Sequence, residues 1–480
     1  MERSKVIFGN TIADKDYRKA CKQKEKNKKK YGDDSGVNYT FAAADNPVLA
    51  PIGVKNLVLS DKGDLKLDEK AVIVGNIRMG YGHYRISMAI ASAAHALGYT
   101  PYWLDLNSYP ESTATKLISA QNDLYSLGSR LSQRFDLFNK LVWEPINSEG
   151  FRKLTYNAAD QKNAELMAPL LKNLPKDVPY VATHAWPAQA AIHAGFTRVV
   201  NAIPDNWPMA LHLSEGSIHT VQTPSAFLGY KMLRGMDPKR QLKPMPAGTL
   251  FDVGHYIDHE LVVNIEADCA ARLKRMEEGA PRRYFLSIGG AGAQQKLFED
   301  IIRHLIPQIK QNKAMLLINT GDHFDVWNSI VSHIPELAGL YTTHFDNYDE
   351  TKAFLDKDEG LEKIQVFCHK DIFAAVYVTN LLMRKCDVLL TKPSELSFYP
   401  VPKIMIHRVG GHEAWGAIRA AEVGDGTYEL DKTEEVLAML DEITNGKEIL
   451  PALCRGILRA NAAGIYNGAY EAVKLAVNAK

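Results

Sequence analysis

Cysteine is scarce in this chain, and several kinds of segment are missing from it. The 480 residues include five scattered cysteines with no C-x-x-C spacing: Cys21, Cys269, Cys368, Cys386 and Cys454. This pattern argues against a disulfide framework and favours a reducing compartment. No uncharged apolar run reaches the roughly 18 residues of a spanning helix, and the first residues lack the apolar core of a signal peptide. We therefore expect a cytoplasmic protein, with the inner face of the membrane as the alternative location.

The chain also lacks an excess of charge of either sign. Lys and Arg together number 57 and Asp and Glu 56, so we expect no nucleic-acid partner. One local exception is residues 15–30, KDYRKACKQKEKNKKK, which hold nine basic residues against Asp16 and Glu25. We interpret this run as a solvated helix or loose tail, with weak peripheral contact to an anionic membrane surface as the alternative.

What the sequence does contain is two successive series of alternating strands and helices. In the first series, KAVIVGNI, YRISMAIASAAHALG and TPYWLDLN have the patterns of a strand, a helix and a strand. In the second, RRYFLSIGG, QQKLFEDIIRHLIPQIKQ and KAMLLINTG repeat that order. Such alternation is typical of parallel sheets covered by helices. The sequence predicts an α/β protein with two doubly wound, Rossmann-like domains.

The predicted domain boundaries follow from where these series begin and end. Residues 1–66 form an N-terminal extension with the basic run, 67–250 the first Rossmann-like domain, and 251–450 the second. The prolines and the glycine of LKPMPAGTLFD mark the junction between the two domains. Residues 451–480 have a helical pattern, and we expect them to pack back on the first domain.

The glycine cluster after the strand YFLSI is the first candidate ligand site. It consists of Gly289, Gly290, Ala291, Gly292 and Ala293. Small residues let a ligand approach the backbone and a helix N-terminus attracts phosphate, although a packing turn explains the cluster equally well. The spacing fits neither a P-loop nor G-x-G-x-x-G. Gly80-Tyr81-Gly82 also lacks a third glycine, but Asp105 ends the next strand, so an NAD-dependent dehydrogenase stays a weak competitor.

A second set of polar residues follows two strands of the second series. Lys392, Ser394 and Glu395 come after DVLLT, and Gly411, His412 and Glu413 come after PKIMIHR. Loops after parallel strands gather at the carboxyl edge of a sheet, where ligands bind. A cation for a diphosphate, a carboxylate for ribose and a polar pair for a sugar would then face one crevice. Each residue alone has a structural explanation, but with the glycine cluster they indicate a nucleotide-sugar.

These segments, in this order, resemble the family 28 glycosyltransferases of GT-B fold, which include the peptidoglycan N-acetylglucosaminyl transferase and the mono- and diglycosyl-diacylglycerol synthases. IGGAGA resembles the phosphate loop of the family, DVLLTKPS its T-K segment, and GGHEAWGAIRAAEVGDG its Q-[EQ]-x-x-N-A motif. NIRMGYGHYRISMAIASAAHALG resembles its N-terminal Gly-Gly-His loop and helix. The likeness covers roughly residues 70–430 and departs from the family at Ala291, His412 and Gly416, where Ser, Gln and Asn are usual.

The resemblance implies an inverting, metal-independent transfer of a hexose from a UDP-sugar, without a cofactor, in a cleft between the two domains. The acceptor would be a hydroxyl group, with lipids and glycans as candidates. His83 would act as the base, with Asp205 as the rival base or its partner. The donor-binding residues implied are the loop 289–293 and Lys392 for the diphosphate, Phe367 for the nucleotide base, Glu395 for ribose, and His412 and Glu413 for the sugar or diphosphate. Ser394 and Gly411 are also expected to contact the donor.

Two other functions fit the same fold. A UDP-sugar 2-epimerase shares the two-domain plan and consumes UDP-GlcNAc without an acceptor, and a non-catalytic nucleotide-sugar-binding protein would account for the departures. We expect no metal site. The D-x-D at Asp356 and Asp358 follows no buried strand, and zinc-ligand spacing is missing at His184, His193, His212 and His219.

Overall fold

The computed structural model divides the chain into two compact units. The first contains Met1–Asp258 and Asn467–Lys480, and the second contains His259–Tyr466. The described residues are 2–134, 150–288, 294–357, 360–408 and 410–479, with side chains for all of them except 124–134 and 412. Among the helices within these ranges, none combines the length and the apolar character that crossing a bilayer requires.

The first unit is built on an eight-stranded sheet. After a short hairpin of β1 (Val6–Ile7) and β2 (Asn10–Thr11), its strands are β3 (Phe41–Asp45), β4 (Lys55–Leu59), β5 (Ala71–Asn76), β6 (Thr100–Asp105), β7 (Tyr180–Ala182), β8 (Val199–Ala202), β9 (Ile218–Val221) and β10 (Leu250–Asp252). Their order is β10-β9-β8-β7-β5-β6-β4-β3. β3 is antiparallel to β4, and the other neighbouring strands are parallel. All six residues of β5 are buried, as expected for a strand covered on both faces.

Helices cover this sheet and come from both ends of the chain. They are α1 (Asp14–Tyr31), α2 (Gly82–Ala96), α3 (Thr113–Arg134), α4 (Leu154–Met167), α5 (Ala185–His193), α6 (Pro224–Lys231) and the C-terminal α16 (Gly468–Asn478). α2 packs against β5 and β6, and α16 packs against α2, β7 and β8. Four alanines of α2, Ala89, Ala91, Ala93 and Ala94, are buried, and their small side chains let the helices lie close to the sheet and to each other.

The second unit has a six-stranded, all-parallel sheet. Its strands are β11 (Arg282–Ser287), β12 (Ala314–Asn319), β13 (Tyr341–Phe345), β14 (Ile364–Cys368), β15 (Val388–Thr391) and β16 (Lys403–Met405), in the order β13-β14-β12-β11-β15-β16. Its helices are α7 (His259–Val262), α8 (Ile265–Glu277), α9 (Gln295–Lys310), α10 (Phe324–His333), α11 (Tyr348–Lys357), α12 (Ile372–Lys385), α13 (Ala414–Val423), α14 (Thr433–Asn445) and α15 (Ile449–Ala462). Every neighbouring pair of these strands is parallel, which requires a crossover segment between them.

Both units therefore have the Rossmann-like layout that the sequence predicts. The unit boundaries lie elsewhere than the predicted ones. Residue 250 begins β10, which belongs to the first sheet, and the first unit continues to Asp258. Residues 1–66 supply β3 and β4 to the same sheet, because β4 pairs with β6. Of the C-terminal residues, α16 belongs to the first unit and α15 to the second.

Candidate functional site

Each sheet contains a topological switch point, where the chain reverses the side on which it adds strands. In the first unit the chain goes from β5 to β6 on one side and later to β7 on the other. In the second unit it goes from β11 to β12 and later to β15 on the opposite side. Loops that leave a sheet in opposite directions open a crevice at its carboxyl edge, and α/β proteins bind ligands there. We call these the β5/β7 crevice and the β11/β15 crevice.

At the β5/β7 crevice, His83 connects the start of α2 to the end of β7. Its Nδ1 lies 2.8 Å from the carbonyl oxygen of Thr183, the residue directly after β7. Because a carbonyl oxygen only accepts hydrogen bonds, neutral His83 carries its proton on Nδ1 and its lone pair on Nε2. The Ser87 hydroxyl, also on α2, lies 2.8 Å from the Thr183 hydroxyl. The crevice thus contains an imidazole whose Nε2 is the basic atom.

His184 lies beside His83, with 4.9 Å between the ring centroids. Its Nδ1 accepts a hydrogen bond from the backbone N–H of Trp186 at 3.1 Å and so caps α5. Burial lowers the pKa of His184 well below its ordinary value, and the nearby His83 and His212 lower it further, partly opposed by Asp205. His184 is therefore neutral at physiological pH and adds no positive charge to the crevice.

Asp205 follows β8 and contacts the buried His212, which in turn contacts the buried Tyr230. Its Oδ2 lies 3.2 Å from Nε2 of His212, and Nδ1 of His212 lies 2.6 Å from the hydroxyl of Tyr230 on α6. The Asp205 side chain is 41% exposed and that of His212 only 6%, so the carboxylate reaches solvent while the imidazole orients it. Burial raises the pKa of Tyr230 well above its ordinary value, and the Asp205 charge adds to the shift. Tyr230 therefore stays a protonated phenol that fixes His212.

The structure thus gathers more polar groups at the β5/β7 crevice than the sequence predicted. His83 and Asp205 were expected there, whereas His184 and His212 were considered only as zinc ligands and set aside. Their place in the chain could have indicated this, because His184 lies two residues after β7 and His212 lies in the loop after β8. The choice between His83 and Asp205 as the base stays a prediction.

At the β11/β15 crevice, Lys392 follows β15 and forms an ion pair with Glu413, just before α13. The Lys392 side chain is 31% exposed and that of Glu413 only 11%. Glu413 also accepts a hydrogen bond from the backbone N–H of Gly410 at 3.2 Å, so one carboxylate connects the loops after β15 and β16. A diphosphate that binds Lys392 would compete with Glu413 for the ammonium group.

Of the other predicted donor-binding residues, three lie in turns near the crevice and Phe367 lies away from it. Ser394 and Glu395 start the short turn after β15, where the Ser394 N–H donates to the Lys392 carbonyl at 2.8 Å. Gly411 begins the turn Gly411–Glu413 before α13. Phe367 is fully buried in β14, two strands away from the crevice, and its carbonyl accepts from the Thr320 N–H at 3.0 Å. Outside the described residues lie the side chain of His412 and the whole loop of Gly289, Gly290, Ala291, Gly292 and Ala293.

Gly416 gives a packing reason for one departure from the resembled family. A Cβ atom at this position would lie 2.8 Å from Oγ and 3.3 Å from Cβ of Ser397, in the turn after β15. Asn, the usual residue, would not fit unless the Ser397 side chain moved. The glycine lets α13 approach the loop that carries Lys392.

One group of described residues has the composition and spacing of metal ligands: His407, Glu429 and Asp431. Glu429 already pairs with Arg408, and the His407 and Asp431 side chains are 55% and 66% exposed. An exposed carboxylate cluster of this kind is common without an ion, so it supports no assignment. Of the D-x-D segment, Asp356 lies in α11 and Asp358 is outside the described residues.

Comparison with known proteins gives two family matches without a described function. Residues 6–232 match a model described as "Domain of unknown function (DUF6937)", and residues 245–477 match "Domain of unknown function (DUF6938)". No curated protein matches the chain.

Several solved structures are similar to the chain at low identity. A UDP-GlcNAc 2-epimerase from Neisseria meningitidis bound to UDP-GlcNAc has 12% identity and a TM-score of 0.46, over 84% of this chain and 98% of its own. A glycosyltransferase from Rickettsia africae has 13% identity and a TM-score of 0.41, over 86% and 100%. An α,α-trehalose 6-phosphate synthase from Burkholderia multivorans has 11% and 0.43, over 85% and 98%.

Proposed function

We propose that this protein is an enzyme that uses a UDP-sugar as donor and transfers its hexose, with inversion and without a metal ion, to a hydroxyl acceptor. The observation that carries the proposal is the β11/β15 crevice. The switch point of an all-parallel sheet lies between the strand that leads into the glycine loop and the strand that leads into Lys392. Crevices of this kind bind nucleotide phosphates in α/β proteins. The order of motifs shared with family 28 glycosyltransferases supports uridine and a sugar as the groups attached to the phosphates.

In the proposed reaction, the acceptor oxygen attacks the anomeric carbon while the bond from that carbon to the diphosphate breaks. Negative charge develops on the departing UDP, and the N–H groups of residues 289–293, the start of α9 and Lys392 would stabilise it. Nε2 of His83 would take the hydroxyl proton, with Asp205, oriented by His212, as the alternative proton acceptor. The sugar is then bonded to the acceptor, the proton is on the base and UDP has left, so the reaction needs no cofactor.

Ligand-dependent thermal unfolding tests the donor class. We expect UDP, UDP-glucose, UDP-galactose or UDP-GlcNAc to raise the melting temperature of the protein and NAD to leave it unchanged. Lys392→Gln should remove most of the stabilisation, whereas Lys310→Gln, which removes the same charge from the exposed end of α9, should not. Stabilisation by NAD alone would contradict the proposal in favour of a dehydrogenase.

Product analysis separates the transferase from an epimerase and from a non-catalytic binder. Incubation with UDP-GlcNAc alone should leave the sugar configuration unchanged by proton NMR, because the proposed reaction needs an acceptor. Addition of lipid or glycan acceptors should release UDP and add the mass of the donor's sugar residue to one of them. Conversion at C2 without an acceptor would identify an epimerase, and UDP binding with neither reaction would identify a binding protein.

A further inference from the structure

The basic run at residues 15–30 forms most of α1, and most of its charges lie on one side of the helix. Eight of its nine basic residues are exposed. One of these, Lys28, lies on another side and forms an ion pair with Asp33 at 2.6 Å. The other seven are Lys15, Arg18, Lys19, Lys22, Lys26, Lys29 and Lys30. At 100° per residue these seven fall within an arc of about 120°, and no other residue type falls inside that arc. We call these seven residues the α1 stripe. From Lys15 to Lys30 it is about 22 Å long, at 1.5 Å per residue.

The opposite side of α1 fastens the helix to the first unit. Ala20 and Asn27 are buried, and α1 packs against α4. The Asn27 amide donates to the Asn163 side chain at 2.9 Å, and Lys24 forms an ion pair with Glu165 at 2.6 Å, both across the contact with α4. The basic run is therefore a fixed helix rather than a loose tail, and the stripe is a straight row of cations on a rigid support.

Carboxylates of the chain neutralise few of the charges of the α1 stripe. Lys19 forms an exposed ion pair with Asp16 at 3.4 Å, which contributes little in water. Within the described part of the chain, no carboxylate lies within ion-pair distance of Lys15, Lys22, Lys26 or Lys29. Apart from residues 15–30, with nine basic and two acidic side chains, the chain has 48 basic and 54 acidic ones. The positive charge is thus concentrated on one helix of an otherwise mildly acidic protein.

We infer that the α1 stripe is a docking surface for a lipid bilayer with anionic headgroups. A straight row of exposed cations can touch a flat anionic surface along its whole length, and each lysine near such a surface adds to the attraction. The stripe contains no apolar side chain, so the contact is electrostatic adsorption without insertion, and salt weakens it.

A nucleic acid fits this surface less well. Six of the seven cations are lysines, and the arc contains neither an aromatic side chain to stack on bases nor an amide to read them. The acidic balance of the other residues also differs from the broad basic surface typical of nucleic-acid-binding domains. This inference does not depend on the proposed sugar transfer, and its test uses no nucleotide.

Sedimentation with lipid vesicles tests the inference directly. The full chain is mixed at low salt with vesicles of phosphatidylcholine alone or of phosphatidylcholine and phosphatidylglycerol in equal amounts. We expect binding to the anionic vesicles only, and release at high salt. Replacing Lys15, Lys22, Lys26 and Lys29 by Gln keeps helix propensity nearly constant and should weaken binding on the order of a thousandfold.

A matched variant controls for the change in net charge. A parallel binding measurement with duplex DNA shows whether the stripe prefers any polyanion to the vesicles. The control replaces Lys310, Lys313, Lys432 and Lys447, four exposed lysines of the second unit, by Gln and should bind anionic vesicles as the wild type does. Circular dichroism checks that both variants are folded. The inference is wrong if the wild type does not bind anionic vesicles, if both variants bind equally, or if duplex DNA at the same phosphate concentration binds more tightly than the vesicles.

Discussion

A single backbone contact determines what His83 can do. The Thr183 carbonyl accepts a hydrogen bond from Nδ1–H, so the lone pair of the neutral imidazole is on Nε2. The same bond ties α2 to the end of β7, so the residue has a structural role as well as the proposed catalytic one. A substitution to Ala would remove both roles at once and would not separate them.

His83→Asn separates the two roles. The Asn side-chain amide can donate to the Thr183 carbonyl as Nδ1 does, but it offers no basic nitrogen. If His83 is the base, turnover falls about 100- to 10,000-fold while UDP affinity and melting temperature stay close to the wild type. Steady-state kinetics, calorimetric titration and thermal unfolding give the three values. Unchanged turnover would exclude His83 as the base and leave Asp205 as the remaining candidate.

Asp160, in the core of the first unit, should make the stability of the protein depend on pH. This carboxyl group lies on α4 and is buried, and burial raises its pKa from 3.8 to about 8, partly opposed by a hydrogen bond from the Trp186 side chain. Because the folded-state pKa is raised, the neutral carboxyl contributes its full stability below pH 4, and that contribution is lost as the pH rises to about 8.

Asp160→Asn should remove this pH dependence. We expect the free energy of unfolding of the variant to rise relative to the wild type between pH 5 and 8, by up to about 1.4 kcal/mol per pH unit. Urea unfolding of both proteins across this range measures the difference, and comparing the two cancels titrations they share. A difference that is flat with pH would show that Asp160 is ionised in the folded protein.

At the scale of elements, the packing of α13 on the turn after β15 positions Lys392 and Glu413. Gly416 makes this close approach feasible, since any Cβ would contact Ser397. We therefore expect Gly416→Ala to destabilise the protein by about 1–3 kcal/mol. Combining it with Ser397→Gly, which removes the atoms in the way, should recover much of the loss. Gly36→Ala, where a Cβ meets nothing within 4 Å, is the matched control, and chemical denaturation measures all four proteins. An equal loss in the control would refute the packing argument.

The elements that could be predicted are those whose apolar runs lie between turn residues. β5, β11, β12 and β15 are short, each contains a buried apolar run, and their alternation with helices indicated the fold class. β13 escaped prediction because it is an edge strand whose residues YTTHF are mostly half-exposed or exposed. β3 was not predicted for a different reason. Its FAAAD segment is stabilised by pairing with β4, and no local sequence pattern indicates that contact.

The candidate sites were predictable to the extent that they follow strands. Lys392 and Glu413 were placed in one crevice because each comes after a strand of the second series, and the structure joins them in an ion pair. Tyr230 could not be predicted, because its contact with His212 depends on the packing of α6 rather than on sequence spacing.

At the scale of the whole molecule, the first unit includes the C-terminal segment Asn467–Lys480. α16 packs on α2, β7 and β8, Arg198 donates to the Val477 carbonyl, and the Gly468 N–H donates to the His255 carbonyl at 2.9 Å. Removing residues 467–480 would expose the buried faces of α2 and β8. We expect this truncation to lose hydrogen-exchange protection in α2, β7 and β8 and to keep it in β11, β12 and β14. Equal loss in both units would mean that they do not unfold separately.

Calorimetric titration of the full chain with UDP tests whether the β11/β15 crevice binds UDP through Lys392. We expect one UDP per chain, an affinity reduced about tenfold or more in Lys392→Gln, and no change in Lys310→Gln. Heat of dilution alone with the wild type, or equal affinity in wild type and Lys392→Gln, would contradict this expectation.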